Sequence, residues 1–353
     1  MSSRTVHRPA RSASRRLAQG VAFPALLALV CSLLLSAAAA AAETDPAPVE
    51  EPAPGPRVVD VSKPGSKSAV VRNLRRALQA ADEGRRIPSD ATPRYDRLTE
   101  GIRDLPGRCT ASPGESRHRI CARGDRDGAI TVAVFGNSHV AMWLPGLERE
   151  ASRLGVRIEP FIKYGCTPYR FQMYRDGRAW RECSQWREWA LGRLGDRKPD
   201  LVVVGSHTWL VMGDEAGRPI EGGATWDRKW RSGVRRTAGY LSRRIDQVVI
   251  LGDTTTRASR PAKCAQSRGA TMRSCEQRLT AKTRHLLKIT RESAVQGGAQ
   301  FLDLNAFTCY RGRCPIVSRK VFVFRDHKGH LTAPYGQAAA AAFARAIGLR
   351  AAA

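Results

Sequence analysis

Acid is scarce in this chain: 59 lysines and arginines face 32 aspartates and glutamates, a formal net charge of +27. Residues 1–20 hold five arginines and no acid at all. After the apolar run Val21–Leu35 no further stretch is long enough to span a bilayer, so the residues that follow do not read as a polytopic membrane protein. There is no Gly-rich phosphate loop and no cluster of metal-ligand spacing, so neither a cofactor nor a metal is expected. No C-x₂-C pair or nearby His ligands support zinc. The basic residues lack an interleaved aromatic stripe, so nucleic acid is not an expected partner despite the charge. A solvated basic face, or attraction to an anionic envelope polymer or lipid surface, is the simpler reading. No internal repeat is visible.

What is present begins with an export signature. A basic n-region, the apolar run and an alanine tract ending at Ala42 make residues 1–42 a secretory signal. An uncleaved N-terminal anchor is the alternative, and the small-residue tail favours cleavage. Either way the bulk of the chain is expected outside the cytoplasm, secreted or associated with the cell envelope. Of nine cysteines, Cys31 lies in that segment and eight remain, in a compartment that permits disulfides. They fall into close pairs, so the expected bridges are Cys109–Cys121, Cys166–Cys183, Cys264–Cys275 and Cys309–Cys314.

Residues 43–57 form a Pro-rich spacer that cannot bury a core. Residues 58–128 read as a helical and loop extension, with one amphipathic helix over 68–84 placing Val70, Val71, Leu74, Ala77 and Leu78 at helical spacing. From Ala129 apolar strands alternate with helices through residue 350. Strands are expected at Ile130–Phe135, Val156–Ile162, Leu201–Val204, Val248–Leu251 and Phe301–Leu304. Helices are expected at about His139–Leu154, Ser184–Leu194, Trp226–Arg244, Glu276–Val295 and Ala333–Ile347. Buried strands with interleaved helices imply a three-layer α/β domain around a parallel sheet of about five strands. Ligands of such sheets bind at the carboxyl ends of the strands.

Reactive residues fall there. The first strand ends in Gly136-Asn137-Ser138-His139. Glycine allows a sharp exit, and Ser138 opens a helix whose N-terminus stabilises negative charge. On this tetrapeptide alone, an ordinary serine N-cap explains as much. Near the C-terminus, Asp326-His327-Lys328-Gly329-His330 precedes the last helix. A loop of this kind delivers an imidazole and an orienting carboxylate together, which is what a serine hydroxyl needs to become a nucleophile. Asp253, after another strand, reads as a turn cap before it reads as a substrate contact. Trp143, Trp180, Trp186 and Trp189 read as packing; Trp209, at a strand's carboxyl end, is the tryptophan expected to line a site.

Residues 129–350 resemble the SGNH-type domain found at the C-terminus of acyltransferase-3 proteins, which O-acylate envelope polysaccharides. The resemblance rests on VFGNSHVAMWLPGL, PDLVVVGSHTW and CYRGRCPIVSRKVFVFRDHKGHLT in that order. It implies the SGNH-hydrolase, flavodoxin-like fold, Ser138 as nucleophile, His330 as base and Asp326 as orienting acid. It also implies an oxyanion hole from the backbone N–H groups of Ser138 and Gly165, with Asn137, His139, Trp209 and His327 near the site. Three departures stand out. Asn137 replaces the usual Asp. Asp326 and His330 are four apart where the family usually has Asp-x-x-His, which leaves His327 as a rival base. The place of an oxyanion-hole Asn falls in GSHTW, where Ser206 or His207 is the replacement donor unless the hole has two donors.

Three functions compete. The first is an envelope O-acyltransferase that receives acyl groups from a separate membrane protein and passes them from Ser138 to a polysaccharide hydroxyl. The second is a secreted carbohydrate or lipid esterase with the same triad. The third is a non-catalytic carbohydrate-binding scaffold. Transfer is the favoured reading, and any membrane attachment of this chain is expected only through an uncleaved N-terminal segment.

Overall fold

The computed structural model describes residues 68–83, 86–100, 105–214, 216–255 and 260–349. The expected export segment and Pro-rich spacer lie outside them. The described residues belong to the second of two compact units, Pro52–Ala353.

Five apolar segments make the parallel part of a sheet: β2 Ile130–Gly136, β3 Val156–Ile162, β4 Leu201–Gly205, β5 Gln247–Gly252 and β6 Gln300–Asp303. A sixth, short strand, β1 Arg123–Gly124, adds antiparallel to the outer edge of β3, with Arg123 opposite Ile158. The order is β1-β3-β2-β4-β5-β6. The sheet is therefore six-stranded and mixed rather than five-stranded and parallel; two residues of intermediate burial carry too little apolar pattern to announce a strand. The five parallel strands follow a flavodoxin-like order, which puts the switch point at the carboxyl ends of β2 and β4.

Side chains alternate between two cores. On one face Val132, Val134, Ile158, Val203 and Leu251 pack against α1 Ala69–Glu83, α3 Leu144–Leu154 and α7 Ala333–Ala346. On the other, Phe135, Val202, Val204 and Ile250 pack against α4 Arg181–Arg197, α5 Gly223–Ser242 and α6 Ala281–Gln296. Both sheet faces are covered, as continuous apolar strands require. In α1, Val71, Leu74 and Leu78 turn to the core, whereas Val70 is exposed.

Two helices differ from expectation. The helix after β2 is broken into α2 Ser138–Ala141 and α3. Pro145 stands in the first turn of α3 and has no N–H to give to Ala141, so an unbroken ladder is impossible there. The helix expected from Glu276 begins only at Ala281, where Thr280 accepts from Thr283 N at 3.0 Å. Gln277–Arg278 instead pairs antiparallel with Arg313–Cys314. Four disulfides, Cys109–Cys121, Cys166–Cys183, Cys264–Cys275 and Cys309–Cys314, clip the loops between elements. No described helix is long and apolar enough to cross a membrane.

Candidate active site

The ends of β2 and β4 nearly touch. A Cβ on Gly136 would fall 1.9 Å from the Gly205 carbonyl oxygen, and Gly136 has φ +150°, so only glycine allows the chain to leave β2 here. Asn137 follows as the N-cap of α2, accepting from His139 N at 3.1 Å. Ser138 is thereby the first residue of that helix.

The loop after β6 approaches from the C-terminal side. Ser138 Oγ lies 2.9 Å from His330 Nε2, and His330 Nδ1 lies 2.7 Å from Asp326 Oδ2. The other Asp326 oxygen accepts from the backbone N–H groups of Lys328 at 2.9 Å and His330 at 3.2 Å. Arg325 N donates to His330 O at 2.9 Å, closing the loop. Gly329, at φ +91°, absorbs the residue that makes the spacing four; Thr254 Oγ1 donates to its carbonyl at 2.8 Å. Between these anchors His330 is 7% exposed, while His327 is exposed and points to no described partner.

Burial pushes the His330 imidazole below its ordinary value, the hydrogen bond its Nδ1–H donates to Asp326 pulls it back, and the charge of His139 pushes it down again. The balance leaves it neutral near pH 7 and able to accept a proton. For Asp326, burial acts upward, but the hydrogen bond and charge of His330 and the two backbone donors outweigh it and hold the carboxyl at about 2.

A second imidazole–carboxylate pair lies behind the first. His139 Nδ1 is 2.5 Å from Asp253 Oδ1, and the pair is buried. Asp253 Oδ2 accepts from Thr208 N at 3.0 Å and Thr208 Oγ1 at 3.2 Å. Asp253 thus joins β4, β5 and α2 rather than capping its own turn. The sequence offered one signal for it, an acid at a strand's carboxyl end, but 114 residues separate the partners.

Both replacement oxyanion donors are occupied elsewhere. Asn137 is fully buried; its Nδ2 donates to Ser206 Oγ at 3.0 Å, and Ser206 Oγ donates to His207 O at 3.0 Å. The His207 ring is hydrogen-bonded to the Gly165 backbone, while its Nδ1 has no partner. Burial holds His207 well below its ordinary value, so it is neutral with one ring proton, and that proton goes to Gly165. His207 therefore tethers the Gly165 loop. Trp209 lines a cleft and is 39% exposed, with His207 stacked on the indole at 4.0 Å and Lys328 Nζ 4.5 Å from its ring centre. Trp143, Trp180 and Trp186 are buried. Among the described residues no group of His, Cys, Asp or Glu could hold a metal ion.

Residues 108–345 match the family model for the SGNH domain that is fused to AT3 domains, about two thirds of the chain. The chain belongs to this SGNH family. Among solved structures, the periplasmic domain of a lipopolysaccharide acetyltransferase from Salmonella ser. Paratyphi A is similar at 12% identity, covering 77% of this chain and 94% of that one with a TM-score of 0.47. An acetyl xylan esterase variant from Geobacillus stearothermophilus is similar at 13% identity, covering 65% and 99% with a TM-score of 0.35. A carbohydrate acetylesterase from Sinorhizobium meliloti is similar at 14% identity, covering 61% and 97% with a TM-score of 0.37. No curated protein sequence matches. In this SGNH chain the family's serine block and closing His-Leu-Thr block are the segments that meet at 2.9 Å.

Proposed function

We propose that the protein is an exported O-acyltransferase that carries the acyl group on Ser138 and passes it to a polysaccharide hydroxyl. The observation that carries this reading is the unbroken relay from Ser138 Oγ through His330 to Asp326. His330 Nε2 takes the hydroxyl proton as Oγ attacks the acyl carbonyl carbon. The tetrahedral oxyanion is held by the N–H groups of Ser138 and Gly165, a two-donor hole. The protonated imidazole then gives its proton to the departing donor oxygen, leaving an acyl-serine. In the second half, His330 deprotonates the acceptor hydroxyl as it attacks the same carbonyl, and the imidazolium returns that proton to Ser138 Oγ as the acyl–serine bond breaks. Asp326 keeps the Nδ1 proton in place and balances the imidazolium throughout.

The acyl group itself is short. Beside Ser138 lies a cavity of about 40 Å³ lined by Leu105, Ala141, Met142, Tyr164 and Leu331 among others. That is room for about three water-sized spheres, which suits acetyl better than a long chain. Fusion of the family's domain to AT3 membrane domains supports a separate membrane protein as acyl donor. Four disulfides support an oxidising compartment.

The test is to incubate the purified chain with a chromogenic acetyl ester, with and without a sugar acceptor, beside Ser138→Ala. Ser138-dependent release that shifts to acetylated sugar is the expected result. Release that no acceptor alters makes the protein an esterase, with water taking the acyl group. No release from folded wild type sinks the catalytic reading and leaves a binding scaffold.

A further inference from the structure

The positive charge is unevenly placed on the helices. α3 carries two arginines against two glutamates, and α4 four arginines against three acids. α5 carries Arg228, Lys229, Arg231, Arg235 and Arg236 against Asp227 alone. α6 carries Lys282, Arg284, Lys288 and Arg291 against Glu292 alone. These two helices lie side by side, joined by Trp230 Nε1 donating to Thr290 Oγ1 at 2.8 Å. Their acids are already taken: Glu292 pairs with Arg231 at 2.6 Å, and Asp227 with His285 at 2.6 Å. Arg228, Arg235, Lys282 and Arg284 are left exposed, with no acidic partner among the described residues. A face of this kind is not the average consequence of a basic composition, because α3 and α4 in the same molecule are close to neutral.

The face joins two open clefts. At the amino ends of α5 and α6 a cleft of about 530 Å³ is lined by Trp209, Trp226, Asp227, Lys282 and His285, among others. Thr208, Trp209 and Lys282 also line a neighbouring cavity of about 80 Å³ that reaches Asp253, the partner of His139 beside the relay. At the carboxyl ends a cleft of about 720 Å³ is lined by Arg170, Arg235, Arg236 and Arg243. About 12 Å of α5 separates Asp227 of the first cleft from Arg235 of the second, and the whole helix, clefts included, is about 30 Å long, enough for several sugar units to lie along it.

We propose that the α5–α6 face binds the acceptor polymer, and that this acceptor is a polyanionic glycan carrying carboxylate or phosphate groups at intervals. It lies along the two helices and reaches Ser138 past Trp209. The proposal rests on the acyl-transfer reading for the polymer's role as acceptor. A lipid surface fits less well. Val295 is the only large apolar residue exposed on either helix, so nothing is available to insert. Nucleic acid also fits less well. Trp226 and Trp230 are buried, and the Tyr240 ring is covered by Arg170 and Arg244, so the two helices themselves offer no row of stacking rings, and Trp209 stands alone at one end.

The experiment measures binding of the full chain to labelled polygalacturonate, polyphosphate and neutral dextran, with phosphatidylglycerol vesicles and duplex DNA as rivals. It compares wild type with the triple variant Arg235→Glu, Arg284→Glu, Lys288→Glu, and with the milder Arg284→Gln should the triple variant lose its melting transition. The expected result is binding to at least one of the two polyanions and none to dextran. That binding weakens with salt and falls at least tenfold in the triple variant, or about two- to threefold in Arg284→Gln. Ser138-dependent cleavage of a small acetyl ester stays unchanged in both. Whichever polyanion binds more tightly names the acceptor's anion. Equal binding by the folded variant, binding to dextran, or tighter binding to vesicles or DNA than to both polyanions overturns the proposal. Ser138→Ala is expected to bind polymer as wild type does. Failure of ester cleavage with polymer binding intact would therefore count against the acyl-transfer reading and not against this surface.

Discussion

The rings of His139 and His330 lie with their centroids 4.4 Å apart, so the imidazole beside Ser138 is backed by a second imidazole that is itself held by a buried carboxylate. Charge on His139 disfavours a second charge on His330 and helps keep His330 below its ordinary value. His139→Gln removes that repulsion. The His330 pKa is expected to rise, so less of it is neutral at a given pH. The acid limb of the kcat/KM profile for acetyl ester hydrolysis then moves to higher pH. The variant also leaves Asp253 with a lost partner in a buried site, at a cost of about 1–3 kcal/mol in a denaturant titration. An acid limb that stays in place while stability falls would reduce His139 to a packing residue.

Asp326→Asn tests the carboxylate behind the base. It keeps the shape of the loop but cannot balance an imidazolium, and the expected loss in kcat is about 10³- to 10⁴-fold. The carboxyl is held down at about 2, so it stays ionised near neutral pH, and the acid limb of the wild type is expected to follow His330. Its folded value lies below its unfolded one, so the stability it adds is present above about pH 4 and is lost as pH falls towards 2. Acid melting curves of the variant and wild type should converge there. A variant with near-normal kcat would remove Asp326 from the relay.

Much of this fold is legible in the sequence because β2, β4 and β5 are buried on both faces and read as nearly continuous apolar runs. The meeting of Ser138 with the Asp326–His330 loop is legible only through order along the chain, since serine and imidazole are 192 positions apart. Elements fixed by distant partners are not legible. β1 and Gln277–Arg278 are two residues long and exist because β3 and Arg313–Cys314 offer free edges. The His139–Asp253 pair leaves no local trace either, because an acid after a strand reads the same whether it caps a turn or clasps a histidine. The break at Met142–Trp143 does leave a local trace, Pro145, although the helix expected over His139–Leu154 ran through it.

Cys166–Cys183 ties the residue after Gly165 to the first turn of α4. The double variant Cys166→Ser, Cys183→Ser opens a loop of 17 residues, and its removal is expected to cost about 3 kcal/mol of unfolding free energy. Because His207 also holds Gly165, the loop should loosen rather than melt, and kcat should fall further than KM rises. Measuring stability and kinetics on the same preparation checks both parts. Unchanged kinetics in a destabilised protein would separate the disulfide from the oxyanion hole.

Asn137 is the residue at which this chain departs most plainly from the family's usual Asp, and its bonds show why the amide suits this site. Its Oδ1 accepts from His139 N at 3.1 Å and His207 N at 3.4 Å, while its Nδ2 donates to Ser206 Oγ. Asn137→Asp keeps both acceptor bonds but loses the donor. The Ser206 hydroxyl must then turn away from His207 O and donate to the new carboxylate. That rotation leaves no polar atom of Ser206 unpaired, so the expected stability loss is modest, about 1 kcal/mol. The larger effect is electrostatic. A buried negative charge near His330 favours its protonated imidazole, so the acid limb of the rate should move to higher pH. A pH–rate profile of Asn137→Asp beside that of His139→Gln should show shifts of the same sign from opposite causes, an added negative charge in one and the loss of the His139 repulsion on His330 in the other. A shift to lower pH in either would contradict the electrostatic coupling of this buried cluster to His330.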